Sequence, residues 1–260
     1  MFGTGYLISP DCMDLEDICN DYSLNIFSDA SMDFYLKYKI GSFGAIAVYK
    51  EDIIDSSYFF ENNPDTTTVN RCEAKGLRLA LRLALKYATN FAYINLFSDS
   101  LLTVNTIRCY IGKWFFDKAN GLLYTGNNKP ASNQDIHIEN LLLLNQLLSI
   151  NPNIRIYHQN GHINEKSEQS IDKAFSNFKL YNYIPGYIWV DRRIIKYISR
   201  YNNIIDNTTR ERLREVNYKY QYNDPIVFHA TQEYSKPELI SCYKMQIEET
   251  DEEAEQEENE

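Results

Sequence analysis

Apolar positions along the chain change their period several times, and each change marks an element. Residues 23–29, Phe43–Lys50 and Ile54–Phe60 are short runs rich in β-branched and aromatic residues, which read as strands. Gly41 and Gly44 flank the second run and Glu51-Asp52 offers a turn before the third, so an antiparallel meander is expected. From Glu73 to about Ala88 the period becomes helical, with Leu77, Ala80, Leu81, Ala84, Leu85 and Ala88 on one stripe. Tyr93–Ser98 is a strand reached through that helix, which makes it parallel to a strand of the meander. Helical segments follow at about 101–111 and 136–149, with an irregular Gly/Asn stretch, Gly121 to Asn133, between them. Ile154–His158 is the last strand, and a helix over about 166–180 turns Ile171, Ala174, Phe175 and Phe178 inward. The pattern predicts an α/β domain over 23–180, with a mixed five-stranded sheet flanked by helices.

Outside 23–180 the composition shifts. Residues 1–22 form an acidic lead-in without the basic-then-apolar pattern of a signal peptide. Residues 181–247 form an extension, partly basic and partly helical, in which Ile194, Ile195 and Ile198 set a helical period. Residues 248–260 are predicted to be a disordered acidic tail, because they offer almost nothing to bury and repel themselves. That tail changes the meaning of the net charge of −10: without its nine acids, 27 acids face 26 bases. Nucleic acid is therefore not excluded as a partner. No run approaches the roughly 20 apolar residues of a membrane span. The five cysteines are scattered and odd in number, so free thiols in a reducing, intracellular and cytoplasmic setting are expected.

The candidate chemistry lies in carboxylates at the ends of strands. Phe27-Ser28-Asp29 and Phe97-Ser98-Asp99 are echoes, each closing a strand-like run. Two such strands side by side would hold two aspartates together, which is costly without a cation. Glu73 lies four residues before Leu77, on the inner side of its helix's first turn; the helix macrodipole would favour a glutamate there in any case. Gly161-His162 and Asp172, ten residues on, complete the set. His162 reads either as a site residue or as an ordinary exposed loop side chain.

In this order and company these residues resemble type 1 ribonuclease H. The likeness spans about 155 residues: Phe-Ser-Asp29-Ala-Ser, Gly41-Ser-Phe-Gly-Ala-Ile-Ala-Val-Tyr, Thr67-Thr-Val-Asn70-Arg71-Cys-Glu73, Ser98-Asp99-Ser100, Trp114 with Lys129-Pro-Ala-Ser-Asn133-Gln-Asp135, and Gly161-His162 with Asp172. The resemblance implies the ribonuclease H-like fold and metal-dependent hydrolysis of the RNA strand of RNA–DNA hybrids with two Mg²⁺ ions, Mn²⁺ being a substitute. It makes Asp29, Glu73, Asp99 and Asp172 the metal ligands and His162 a proton-moving or product-releasing group. It assigns substrate contacts to Asn70, Arg71, Ser100, Lys129 and Asn133, and a monomer is expected. Ala30 stands where the family commonly has glycine, and residues 112–133 carry only Lys113, Lys118 and Lys129 as bases. Two rivals remain: a different nuclease on the same fold, and a non-catalytic binding protein working through its C-terminal extension with a protein partner. In the extension, Arg210, Arg212 and Arg214 could supply phosphate contacts, or the segment could be an ordinary solvated helix packing on the domain through Ile194, Ile195 and Ile198.

Overall fold

The computed structural model describes residues 14–33, 39–61, 63, 66–182 and 189–221, the side chains of 217–221 excepted. The expected acidic tail, most of the lead-in and the extension beyond 221 lie outside the described residues. Five strands form one sheet in the order β3-β2-β1-β4-β7. They are β1 (Ser23–Asp33), β2 (Ile40–Tyr49), β3 (Asp52–Glu61), β4 (Tyr93–Ser98) and β7 (Ile154–His158). The first three form the antiparallel meander, while β4 and β7 run parallel to β1, as the helical crossovers require.

One face of the sheet is covered by α2 (Val69–Tyr87) and α4 (Gln134–Ile150), which close over Leu24, Ile26, Leu96 and Ile156. Between these helices Glu139 accepts from both Arg78 (2.7 Å) and Arg82 (2.6 Å), so a buried carboxylate is paired twice. Arg78 and Glu139 are both buried.

The opposite face is where structure and sequence reading part. Phe27, Ile46, Phe97 and Tyr157 are covered by α5 (Glu168–Tyr181) and by α6 (Arg192–Gln221). Ile194, Ile198, Tyr201 and Ile205 of α6 are each at most 1 % exposed. Residues 192–216 therefore belong to the same hydrophobic core as the sheet, and the expected boundary at 180 gives way. The reason is elementary: a sheet covered by α2 and α4 on one side leaves its other apolar face to be buried, and α5 is too short to do it alone.

Two shorter stretches also differ. The helix expected at 101–111 is α3 (Leu101–Asn105) running into a π-helical turn, Thr106–Tyr110, and a 3₁₀ turn, Ile111–Lys113. The widened turn carries the buried Arg108, which donates to Asn182 Oδ1 at 3.0 Å. The stretch read as irregular contains a strand: β5 (Phe115–Asp117) pairs with β6 (Leu122–Tyr124), and Phe115 stacks on Tyr124. Cys19, Cys72 and Cys109 are free thiols. Among the described residues no helix is long and apolar enough to cross a membrane.

Candidate active site

The two echoes meet because of strand register. In the parallel β1–β4 pair Phe27 lies beside Phe97 and Ser28 beside Ser98. The phenylalanine rings stack with centroids 4.9 Å apart. Asp29 and Asp99, one residue further on, are therefore neighbours. Side chains alternate along a strand, so each aspartate shares the face of its phenylalanine, which is the α6 face.

Glu73 arrives from α2, whose first turn is capped by Thr68 accepting from the Arg71 backbone N–H at 3.2 Å. Gly76 lets the helix approach: a Cβ there would lie 3.2 Å from the Asp29 carbonyl oxygen. Ligand oxygens of Asp29, Glu73 and Asp99 consequently lie within 4.8 Å of one another. Burial, and then the charges of Asp99 and Asp206, push the Asp29 carboxyl up to about 9. Burial does the same to Glu73, reinforced by Asp29, Asp99 and Asp206. Asp99 is raised by burial too, with the nearby Asn202 amide opposing the shift. Asp29 Oδ2 and Glu73 Oε2 are buried without a protein partner. Crowded, desolvated carboxylates with unsatisfied oxygens are a donor set that fits hard divalent cations.

The fourth expected ligand is not there. Asp172 is 67 % exposed on the outer side of α5 and pairs with Arg192 at 2.7 Å. Its neighbours Ile171, Ala174 and Phe178 take the buried face, leaving the aspartate to solvent. The carboxylate whose charge reaches all three clustered acids is Asp206 of α6, whose side chain is only 7 % exposed. Asn202, Asp206 and Arg210 recur at four-residue spacing along one side of α6, beside the core stripe.

His162 sits at φ +54°, a left-handed conformation uncommon outside glycine. Its Nδ1 lies 3.1 Å from Asp206 Oδ2. Asn203 holds the loop by donating to the Ile163 carbonyl (3.0 Å) and to Glu165 (2.9 Å). Gly161 packs on Asp99 so closely that a Cβ would collide with its carboxylate. Below the site, His158 Nε2 lies 3.1 Å from the Asp99 carbonyl oxygen, and burial holds this imidazole down to about 4, so it donates as a neutral ring. His158 is buried and His137 half-buried; His229 lies outside the described residues.

The expected substrate contacts divide. Asn70 and Asn133 line one shallow cleft with Ser132, Trp114 and His137. Arg71 does not face it: its Nη atoms form a two-bonded pair with Asp135 (3.0 and 2.8 Å) and its Nε donates to Glu61 at 2.9 Å. Its fork is spent on joining β3, α2 and α4, and the expectation of a phosphate contact is corrected. Ser100 caps α3, accepting from the Thr103 backbone N–H at 3.4 Å. Lys129 is exposed at the end of the β5–β6 region. Asn202, Asn203 and Asp206 were missed in the sequence, their one signal being polar residues at helical spacing beside the Ile194, Ile198 stripe; Arg210 was read there as one of three arginines able to meet phosphate.

The class of protein defined by this sheet order and carboxylate cluster agrees with the comparisons. The family model for RNase H matches residues 21–177. No curated protein matches. Among solved structures, RNase H1 from the halophilic archaeon Halobacterium salinarum NRC-1 is 17 % identical with a TM-score of 0.38, over 59 % of this chain and 98 % of its own. The PFV RNase H domain is 18 % identical with a TM-score of 0.41, over 63 % and 96 %. LC11-RNase H1, solved in complex with RNA/DNA hybrid, is 13 % identical with a TM-score of 0.37, over 60 % and 98 %. At such scores these likenesses decide nothing alone; the match over 21–177 does. The chain belongs to the RNase H family, nucleases of RNA–DNA hybrids.

Proposed function

We propose that this protein hydrolyses the RNA strand of RNA–DNA hybrids at the Asp29–Glu73–Asp99 cluster, using two divalent ions, Mg²⁺ first among them. The convergence of three carboxylates, two of them buried with an unsatisfied oxygen, carries the reading. Asp29, Glu73 and Asp99 would hold the metal, with Asp206, whose charge acts on all three, as a further carboxylate near it. Such ions activate the attacking water and stabilise the leaving 3′-oxygen of an in-line displacement. The protein's own part is positional. His158 holds Asp99 through its backbone carbonyl, and the buried Asn202 amide lies near its carboxylate. Asp206 orients the His162 ring through Nδ1, and Nε2, which Arg210 Nη2 approaches at 3.1 Å, would give or take a proton once substrate draws that arginine away. Asn70 and Asn133 line the cleft, where their amides would meet the 2′-hydroxyls of a wide minor groove.

The test is cleavage of hybrid, duplex DNA and duplex RNA, with and without Mg²⁺, by wild type and Asp99→Asn. Mg²⁺-dependent cleavage of the hybrid's RNA strand, lost in a folded Asp99→Asn protein, is expected. Near-normal cleavage by that variant would sink the assignment. A preference for duplex DNA would favour the rival nuclease, and no cleavage by wild type would favour the non-catalytic binder.

A further inference from the structure

The residues α6 brings to the site include one cation. Arg210 Nε donates to Asp206 Oδ1 at 3.0 Å. Its Nη2 lies 3.1 Å from both ring nitrogens of His162, a position in line with neither lone pair. The guanidinium thus lies between the carboxylate beside the acidic cluster and the imidazole of the strained loop. Nη1 makes no protein contact among the described residues, and the side chain is 42 % exposed, open to an incoming strand.

The other arginines of this segment are placed differently. Arg212 lies over the Tyr58 ring, 4.5 Å from its centroid. Arg200 faces Tyr201 and Glu51, while Arg192 and Arg193 are taken up by Glu168, Asp172, Asp191 and Glu16. The β5–β6 region carries few bases, so Arg210 is the cation best placed to meet a phosphate near the carboxylates.

We propose that Arg210 is a substrate-contacting residue, which binds a backbone phosphate of the strand held at the Asp29–Glu73–Asp99 cluster. A planar fork of N–H donors matches a phosphate's oxygens two at a time. Its present partners, Asp206 and His162, are the two groups that substrate and metal binding would engage. The inference rests on the proposed hybrid cleavage for the identity of the strand, and on the geometry of α6 alone for the contact.

The experiment measures binding of a fluorescein-labelled RNA–DNA hybrid by anisotropy over a salt series, in Ca²⁺ instead of Mg²⁺, with the strand checked for integrity. Arg210→Gln should weaken binding roughly tenfold at low salt. It should flatten the log–log salt slope by roughly 0.7–0.9, one phosphate contact. Arg210→Lys should keep the slope and recover part of the affinity, since it keeps the charge without the fork. Arg212→Gln should match wild type. Calorimetric titration with Mn²⁺ alone should show metal affinity unchanged or tighter in Arg210→Gln. The proposal is overturned if Arg210→Gln binds with wild-type affinity and slope, or if its Mn²⁺ affinity falls with its hybrid affinity, which would make Arg210 a support for Asp206. Loss of cleavage specificity in wild type with the Arg210 effect intact would strike the function and leave the contact standing.

Discussion

Helices α5 and α6 lie on the same face of the sheet, and each offers an aspartate, yet only one of these reaches the site. On α5, Asp172 sits between Ile171 and Ala174, both buried, and faces outward at 67 % exposure. On α6, Asp206 follows the buried Ile205 and lies on the flank turned toward β1 and β4, at 7 % exposure. Both aspartates follow a buried isoleucine by one residue, so helical phase alone does not separate them; what each flank meets does. On α6, Asn202, Asp206 and Thr209 form a polar flank that is itself buried, whereas Asp172 on α5 meets only Arg192 and solvent among the described residues. Spacing from His162 points to one aspartate, and burial beside the carboxylate cluster to the other.

The largest expected effect separates the two aspartates directly. On the proposed mechanism Asp206→Asn should lower hybrid cleavage by roughly a thousandfold, since a carboxylate that serves a catalytic metal contributes several kcal/mol of transition-state stabilisation. Asp172→Asn should stay near wild type, because it disrupts only an exposed pair worth about 0–1 kcal/mol. Equal losses in both variants, measured as kcat/KM on one substrate, would break the comparison.

The next effect asks whether α6 is core or appendage. Ile198→Ala and Ile171→Ala each remove a side chain at most 1 % exposed, and each should cost about 2–5 kcal/mol. Denaturant unfolding should show both losses in a single transition. A separate, earlier transition for Ile198→Ala would make α6 an independent extension.

The smallest effect is in pH dependence without metal. Asp29 is held up to about 9, above the ordinary carboxylate range, so its protonated form is favoured in the fold. That contribution is complete below about pH 4 and is lost as pH rises toward 9. Because Asp206 is among the charges raising Asp29, Asp206→Asn should reduce the loss of thermal stability between pH 5 and pH 9 in EDTA by a few degrees. Asp172→Asn should leave that profile parallel to wild type.

Much of the fold was legible along the chain. Tyr93–Ser98 and Ile154–His158 are strands with the expected bounds, and the α2 stripe is buried where the 3.6-residue period places it. Asp29, Glu73 and Asp99 were legible as well, since two are repeats of one tripeptide at strand ends and the third lies on an inner helical stripe. The short β5–β6 pair was hidden by its Gly/Asn-rich turn residues, and the π turn at Thr106–Tyr110 by the fact that inserting one residue into a helix leaves no compositional trace.

The sequence by itself determined the order of elements, the two strand-end aspartates and the family, because these depend on local period and on residues near one another in the chain. The tertiary structure alone decided which helix fills the second face of the sheet, and with it the fourth carboxylate, the Asn203 clamp on the histidine loop and the place of Arg210. It also decided that Arg71 is committed to Asp135 and Glu61. Those outcomes depend on how a long amphipathic helix is phased and docked against a sheet formed some hundred residues earlier, and that docking is settled by the burial of a whole apolar face rather than by any short run of residues.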